Sequence, residues 1–426
     1  MRVAMIGVGR LGCPVSVAMA EKGHHVIGYD INHEIIENYQ LGKTNLYEPD
    51  IDQKLQKQLD EGNISFTENL EEAVKKSKIV FIAVQTPHPE QLDGSVRFNH
   101  ARKDFDYSFL LKSCCDIAKI VDKCDEYKLI VIISTVLPGT TEELIYPEMQ
   151  KYIKPIGHNW SLIYSPLFIA MGTTVRDFMN PEFTLVGEHQ RQSEAGNIIE
   201  RFYNTIHDKP IMRMKWAEAE GTKVWYNTFI TFKITYANMI MQLCDKLNAN
   251  CDVVANALTK ATDRLISSKY LFAGNQDGGH CHPRDNMALA YISEKYGLDY
   301  NLFDFIMTVR EKQIEWFADN IQKYMQSPDQ QVVIMGKTFK PFTNLVGGSP
   351  SILLFNILQE RGIEAVFYDP ETNPIKPDHR PSIFFIGTNW PEFKVFDYPA
   401  NSIVIDVWGM IKDVPSDVKL ISLGRK

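Results

Sequence analysis

A cysteine stands in a glycine-rich, charged turn near the predicted start of a helix. The stretch from Gly278 to Asp285 has the sequence GGHCHPRD, and Cys281 lies three residues before Arg284. A neighbouring guanidinium and a helix start both favour the thiolate form of a thiol. Since a thiolate can attack an aldehyde carbon, the pattern predicts a nucleophile at Cys281. The alternative is a buried, inert thiol, which we expect for the other six cysteines.

A second motif, G-x-G-x-x-G, lies at the start of the chain as Gly7, Gly9 and Gly12. It falls between a predicted strand, Arg2 to Ile6, and a predicted helix. Without side chains the backbone can approach a pyrophosphate, whose charge the helix N-terminus attracts. Asp30 ends the next predicted strand, where a carboxylate accepts the adenosine ribose hydroxyls and repels a 2′-phosphate. The motif favours NAD over NADP, the alternative being glycines that only pack a tight turn.

A third pattern is a row of polar residues along a long helical segment. Glu220, Lys223, Asn227 and Asn238 share one helix face about 60° wide. An unpaired polar group costs roughly 1 to 3 kcal/mol to bury, so this face must meet either water or a ligand. Both interpretations stay open from the pattern alone.

Composition excludes several classes of protein. The 426 residues include 45 basic and 53 acidic residues, and no basic block of the kind that binds nucleic acid. No apolar run reaches the roughly 18 residues of a membrane span, and the first residues lack a signal-peptide pattern. The seven cysteines never occur as C-x-x-C, which predicts a reducing cytosol. His280 and His282 flank Cys281 without a partner at zinc spacing, so no metal is predicted.

Strand and helix patterns alternate at both ends of the chain. Apolar runs at His25 to Tyr29, Ile79 to Val84 and Leu129 to Ile133 predict a doubly wound parallel sheet. A Pro-free pattern from Met212 to Asn248 predicts a long helix that links two domains. After a polar linker at 326–331, further strands are predicted at Val332 to Met335, Ala365 to Tyr368, Ile383 to Ile386 and Ile403 to Val407. The expected fold class is α/β, with two Rossmann-like doubly wound parallel-sheet domains joined by a long central helix and a helical middle domain.

Taken in order, these stretches resemble the UDP-glucose/GDP-mannose dehydrogenase family. The resemblance is specific because a colinear series of motifs runs through nearly the whole chain. The series is GVGRLG at 7–12, YEP at 47–49, VQTP at 84–87, STVLPGTT at 134–141, E-x-x-K-x-x-x-N at 220–227, GGHCHPRD at 278–285, GKTFKPFT at 336–343, YDP at 368–370 and TNWPEF at 388–393.

The resemblance implies an enzyme that oxidises the C6 hydroxymethyl group of a nucleotide sugar to a carboxylate with two NAD. Its fold would comprise an NAD-binding Rossmann domain at 1–211, a central helical domain at 212–325 and a nucleotide-sugar-binding α/β domain at 326–426. The central domain usually makes the dimer, so we expect a homodimer or a higher homo-oligomer. The expected partner is a small nucleotide sugar, with neither nucleic acid nor membrane.

The resemblance also implies residue roles. Cys281 would capture the C6 aldehyde, Lys223 and Asn227 would stabilise the oxyanion, and Asp285 with Thr135 would hold the reacting water. The implied cofactor-binding residues are Gly7, Gly9, Arg10, Leu11, Gly12, Asp30, Val84, Thr86, Pro87 and Thr135. The implied substrate-binding residues are Phe168, Lys223, Asn227, Gly278, Gly279, Phe339 and Lys340.

Several positions depart from the family's motifs. Leu167 stands where the family's S-P-E-F segment has the glutamate assigned to thioester hydrolysis. Gly347 replaces an arginine that helps to hold substrate, and Arg284 replaces a lysine. The family's G-x-G-F-G-G is reduced to GNQDGG at 274–279.

We therefore expect an NAD-dependent nucleotide-sugar 6-dehydrogenase, with UDP-glucose as the first substrate to try. The form GGHC at 278–281 is associated with relatives that act on UDP-N-acetylhexosamines, which keeps that substrate class and GDP-mannose open. Leu167 leaves open an enzyme that stops at the aldehyde. A non-catalytic nucleotide-sugar or NAD sensor is the alternative of a different class.

Overall fold

The computed structural model describes residues 1–89, 92–97, 101–190, 193–262, 270, 272–295, 297 and 301–425, the side chains of 239 and 243 excepted. The chain forms two compact units. The first unit comprises Met1–Pro87 and Phe105–Trp225, and the second comprises His88–Asp104 and Tyr226–Lys426. No helix in the described ranges has the length and apolar character needed to cross a membrane.

The first unit is built on one sheet, which has eight strands among the described residues. Its spatial order is β3-β2-β1-β4-β5-β6-β7-β8, and every neighbouring pair is parallel except β6 with β7. The strands are β1 (Arg2–Ile6), β2 (His25–Tyr29), β3 (Ile64–Thr67), β4 (Ile79–Ile82), β5 (Lys128–Ile132), β6 (Trp160–Tyr164), β7 (Thr184–Glu188) and β8 (Ile211–Lys215).

Helices cover this sheet, which explains why its central strands are mainly apolar, with every residue of β4 and β5 buried. Asn32, Asn69 and Ser193 cap three of the helices with their side-chain oxygens. The helices are α1 (Gly12–Glu21), α2 (His33–Gln40), α3 (Ile51–Asp60), α4 (Leu70–Lys76), α5 (Ser108–Val121), α6 (Tyr146–Gln150, after a π-helical turn at Thr141–Ile145), α7 (Thr174–Met179) and α8 (Glu194–Tyr203).

The second unit contains a smaller sheet in the order β10-β9-β11-β12-β13, parallel throughout. Helices pack on one face of it around Phe317 and Leu354, and an aromatic cluster with Trp390 and Phe393 covers the other. The elements from the long helix onward are α9 (Trp216–Lys246), α10 (Cys251–Leu258), α11 (His282–Lys295), α12 (Leu302–Tyr324), β9 (Val332–Met335), α13 (Pro350–Glu360), β10 (Ala365–Tyr368), β11 (Ile383–Ile386), β12 (Ile403–Asp406) and β13 (Lys419–Ser422).

The predicted α/β fold class is confirmed, with two differences in detail. β7 runs antiparallel to β6, so the larger sheet is not wholly parallel. The helix predicted from Met212 begins at Trp216, because Ile211–Lys215 pairs with β7 as an edge strand. The division into domains at 211/212 and 325/326 stays a prediction.

Candidate active site

The glycine turn lies between β1 and α1. Gly7 has a φ of +90°, and its N–H donates to the main-chain oxygen of Tyr29 at 2.8 Å. A Cβ on Gly7 would lie 3.1 Å from the carbonyl carbon of Ala83, and one on Gly12 would overlap the carbonyl oxygen of Gly7. A Cβ on Gly9 would meet no atom within 4 Å. The first and third glycines thus allow close packing, and the second faces open space beside the start of α1.

Asp30 follows β2 directly and is held at the same turn. Its Oδ2 accepts the Val8 N–H at 3.0 Å, and its Oδ1 accepts the Asn32 N–H at 3.0 Å. Arg10 is exposed and Leu11 is half-buried where α1 begins. This arrangement fits a pyrophosphate at the turn and a ribose at the carboxylate.

The remaining predicted cofactor residues follow β4 and β5, which are neighbours in the sheet. Thr86 Oγ1 donates to the main-chain oxygen of Thr135 at 2.7 Å, and Ser134 Oγ donates to that of Val84 at 2.6 Å. Pro87 is half-buried at the end of this segment. Because parallel strands end at one edge of the sheet, these residues and the glycine turn share that edge.

Lys223 lies in the second turn of α9, and its side chain contacts residues of the first unit. It is buried, its Nζ donates to the main-chain oxygen of Leu167 at 2.8 Å, and it lies 4.9 Å from the centre of the Phe168 ring. Glu220, nearly one turn earlier, accepts the N–H groups of Gly139 at 2.6 Å and Thr141 at 2.8 Å. Burial raises the pKa of Glu220, and those hydrogen bonds oppose the rise.

The polar row along α9 does not face water. Glu220, Lys223, Asn227 and Asn238 are all buried, and each has a hydrogen-bonding partner. The solvated-face interpretation is therefore wrong. Partners supplied by the protein itself offset the cost of burying these groups.

Cys281 lies directly before α11 and is exposed. Its main-chain oxygen accepts the Asp285 N–H at 2.8 Å, the first hydrogen bond of the helix. Of the other six cysteines, four are buried and two are half-buried, and all seven are free thiols. Burial raises the pKa of the Cys251 thiol to about 11, which keeps it protonated near neutral pH.

Asp285 is fully buried and carries three side-chain hydrogen bonds. Its Oδ2 accepts Asn227 Nδ2 at 2.7 Å, and its Oδ1 accepts Nε and Nη2 of Arg284 at 3.0 and 2.9 Å. The structure thus brings together two of the predicted catalytic residues, from α9 and α11. They lie beside the turn that carries Cys281.

Four of the predicted substrate-binding residues also lie together in the second unit. A Cβ on Gly278 would lie 2.6 Å from Phe339 Cβ, and one on Gly279 would lie 3.1 Å from Phe339 Cζ. Lys340 Nζ lies 5.8 Å from the centre of the same ring. Phe168, in contrast, belongs to the first unit, where it contacts Phe183 at a ring separation of 4.9 Å.

Two residues inside the YEP and YDP motifs, Glu48 and Asp369, have an anchoring role that the sequence alone did not indicate. Glu48 accepts the N–H groups of Gly172 and Val175 at 3.0 and 3.3 Å, which fixes the turn before α7. Asp369, after β10, accepts the Lys337 N–H at 2.8 Å, as Asp30 does after β2. The sequence signals are the YEP motif and a Tyr-Asp pair, at 29–30 and 368–369, whose tyrosine is the last residue of each strand.

Across the described ranges, no three His, Cys, Asp or Glu side chains group to hold a metal.

Comparisons with known proteins agree with this arrangement. The family model for the NAD binding domain of the UDP-glucose/GDP-mannose dehydrogenase family matches residues 1–207, and that for its central domain matches 217–312. UDP-glucose 6-dehydrogenase TuaD of Bacillus subtilis (strain 168) is 28% identical over 375 residues, which are 88% of this chain and 77% of that protein.

Several solved structures cover the whole chain, and two of them are at least 25% identical to it. A UDP-glucose dehydrogenase from the hyperthermophilic archaeon Pyrobaculum islandicum is 26% identical, with a TM-score of 0.87 over 100% of this chain and 98% of that one. A UDP-D-ManNAc dehydrogenase from Pyrococcus horikoshii is 25% identical, with a TM-score of 0.84 over 100% and 99%. The protein is an oxidoreductase with NAD as its cofactor, and it belongs to the UDP-glucose/GDP-mannose dehydrogenase family of nucleotide-sugar 6-dehydrogenases.

Proposed function

We propose that this enzyme oxidises a UDP-sugar, namely UDP-glucose, to the uronic acid through covalent adducts on Cys281. The supporting observation is an exposed thiol directly before α11, one turn from the buried Asp285 carboxylate that Asn227 holds. An aldehyde can reach an exposed thiol, and the hydrogen bonds of the carboxylate hold it in a fixed position. The buried cysteines offer neither feature.

The glycine turn and Asp30 fit the cofactor. The backbone at Gly9 is open to phosphate groups, since a Cβ there would meet nothing within 4 Å. Each Asp30 oxygen accepts one main-chain N–H and keeps lone-pair capacity for a ribose hydroxyl. When bound, NAD supplies the hydride acceptor for both oxidations.

Lys223 and Asn227 act on the C6 oxygen in this proposal. The C6 alcohol loses a proton and a hydride and becomes an aldehyde, and negative charge develops on its oxygen. The Lys223 amino group and the Asn227 amide donate hydrogen bonds to that charge. Both side chains are buried and already held by protein oxygens, so little reorganisation is needed when the charge appears.

Cys281 carries the second oxidation. Its thiolate adds to the aldehyde carbon and the carbonyl oxygen takes a proton, which gives a thiohemiacetal. That carbon then loses a hydride, and the hydroxyl loses its proton, which leaves a thioester. Water held by Asp285 and Thr135 attacks the thioester carbon, the C–S bond breaks, and the acid and the thiolate are released. Alcohol, two NAD and one water thus give the acid, two NADH and protons.

The stoichiometry of NADH formed per sugar consumed tests the proposal. Full oxidation of UDP-glucose gives two NADH per sugar, an enzyme that stops at the aldehyde gives one, and a sensor gives none. The proposal expects two, with the uronic acid as the product by mass spectrometry. A ratio of one, or no NADH with folded protein that binds NAD, would contradict it.

A UDP-N-acetylhexosamine is the second candidate substrate, because GGHC at 278–281, which contains His280, is the form associated with relatives that act on such sugars. A Cβ on Gly347 would lie 2.8 Å from Nδ1 of His280, so the imidazole takes space that an arginine at 347 would need. The His280 imidazole offers the substrate different hydrogen-bonding groups from those of an arginine guanidinium at position 347. Values of kcat/KM for UDP-glucose, UDP-N-acetylglucosamine and UDP-N-acetylmannosamine decide between the two classes, with GDP-mannose as the nucleotide control.

We also propose that the enzyme is a cytosolic homodimer. Four aromatic residues of α9 are 42 to 52% exposed and spaced to form one helical stripe: Trp225, Phe229, Phe232 and Tyr236. A second copy would cover this apolar surface. Phe232→Glu should shift the mass measured by light scattering to that of a monomer, whereas Ile375→Glu, at a site 81% exposed, should not. A parent enzyme that is monomeric at micromolar concentration would refute the dimer.

A further inference from the structure

A buried ion pair lies beside the turn that carries Cys281. Arg310, on α12, is fully buried, and its Nε donates to Oδ1 of Asp277 at 2.9 Å. Asp277 is 4% exposed and stands where the family's G-x-G-F-G-G motif has its aromatic residue. Apolar residues of similar volume often stabilise a core at least as well as a buried ion pair does. The ion pair by itself is therefore weak evidence for a role in stability alone.

Arg310 also connects three stretches of main chain. Its Nη1 donates to the main-chain oxygen of Gly94 at 3.0 Å. Its Nη2 donates to the main-chain oxygens of Asp277 and Gly348 at 3.1 and 3.0 Å. The guanidinium is planar and its N–H directions are fixed. One side chain thus sets the relative positions of the segments at 94, 277 and 348.

The second oxygen of Asp277 is fixed from another direction. Thr231 Oγ1, on α9, donates to Oδ2 at 3.0 Å, and Nδ1 of His282 lies 3.9 Å from the same oxygen. The carboxylate is therefore bound by α12 and α9 and lies close to the first residue of α11. Its position and that of Cys281 are linked through only three intervening residues.

Those intervening residues have little room to move. A Cβ on Gly278 would lie 2.6 Å from Phe339 Cβ, and one on Gly348 would lie 2.6 Å from the Gly279 oxygen. The turn is thus packed against Phe339 and Gly348, while the ion pair holds its first residue. A shift of Asp277 must be transmitted along the turn to Cys281.

We propose that Arg310 and Asp277 are positioning residues that set the place of Cys281 and of the Gly278–Gly279 backbone. Their role in turnover rests on the proposed function of Cys281 as the nucleophile. Their role in placing the turn does not, because the contacts described above are independent of the reaction.

Single substitutions provide the first test. Arg310→Met removes the charge and all four hydrogen bonds. Arg310→Lys keeps the charge, but an ammonium cannot reproduce the fork of a guanidinium. Arg361→Met is the matched control, since Arg361 belongs to the same unit and forms an ion pair with the exposed Asp319 at 2.7 Å. For each variant we would measure kcat, both KM values, the melting temperature and the rate of iodoacetamide labelling of Cys281 by peptide mass spectrometry.

Misplacement of a reacting group by about 1 Å lowers turnover on the order of 100-fold, so Arg310→Met should lose about 10- to 100-fold in kcat. The KM for NAD should not change, and the labelling rate of Cys281 should differ from that of the parent. Arg310→Lys should fall between the parent and Arg310→Met, and Arg361→Met should match the parent. Parent-like kcat and labelling in folded Arg310→Met would overturn the proposal.

A double variant separates positioning from stability. It also keeps the proposal testable if Arg310→Met alone does not fold. Asp277→Leu with Arg310→Met replaces the pair by apolar side chains and removes the unpaired buried carboxylate that Arg310→Met leaves, so its melting temperature should lie above that of Arg310→Met. We expect kcat to stay low and the labelling rate to stay altered. Recovery of kcat together with stability would show that the pair only stabilises the fold. Full activity of Cys281→Ser would refute the proposed function instead, and the labelling rates would still test the placement of the turn.

Discussion

Replacing Leu167 with glutamate should accelerate release of the sugar acid from Cys281. The main-chain oxygen of Leu167 accepts Lys223 Nζ at 2.8 Å, and this bond does not depend on the side chain. The leucine side chain is half-buried at the edge of the first unit's core. A glutamate there would supply the carboxylate that the sequence resemblance assigns to hydrolysis, without disturbing the contact to Lys223.

The magnitude follows from the missing base. A general base contributes on the order of 10² to 10⁴ in rate, or about 3 to 5 kcal/mol of barrier. Asp177 does not replace it, because each of its oxygens already accepts two hydrogen bonds: Oδ1 from Arg176, and Oδ2 from Thr173 and the Ala170 N–H. Glutamate at a half-buried leucine site lowers the free energy of unfolding by about 1 kcal/mol. The expected gain in hydrolysis therefore exceeds the cost in stability.

The assay is rapid mixing of enzyme, NAD and UDP-glucose, followed by intact-mass analysis of the protein. The parent should accumulate a sugar adduct on Cys281 during turnover, and Leu167→Glu should shorten its lifetime and raise kcat. Leu167→Gln is the matched control, since it has the same shape but accepts no proton, and its adduct should persist. The reasoning is refuted if the parent accumulates no adduct and Leu167→Glu turns over at the parent's rate.

Three further predictions concern single side chains. Cys281→Ser should abolish acid formation because a hydroxyl does not readily form the acyl adduct. The control Cys115→Ser should still form two NADH per sugar. Formation of the acid by Cys281→Ser at the parent's rate would exclude the covalent mechanism. Asp30→Ala should reduce the kcat/KM preference for NAD over NADP, and an unchanged preference would contradict the role of Asp30. Burial raises the pKa of Glu311 to about 7 from an ordinary 4.5. Its stabilising contribution is therefore present below about pH 4.5 and lost as the pH rises through about 7, so Glu311→Gln should raise the melting temperature more at about pH 8 than at about pH 5.

Local patterns predicted best where one short stretch determines the structure. The glycine turn was predicted correctly because an apolar strand, a turn that needs Gly7 at a positive φ and a helix follow one another directly. The strand at Ile211–Lys215 was mistaken for helix because a five-residue edge strand of mixed polarity has no distinct period. Its conformation is set by pairing with β7, which lies more than twenty residues earlier in the chain.

The amino-acid sequence by itself determined the fold class, the glycine turn with Asp30, and Cys281 as an exceptional cysteine. Each of these is encoded by neighbouring residues whose types constrain the backbone directly. Only the tertiary structure decided that the polar row on α9 is buried, and that Asp277 and Arg310 form an ion pair beside Cys281. Those contacts join residues far apart in the chain, so their formation depends on how whole helices pack, which no local pattern of residue types specifies.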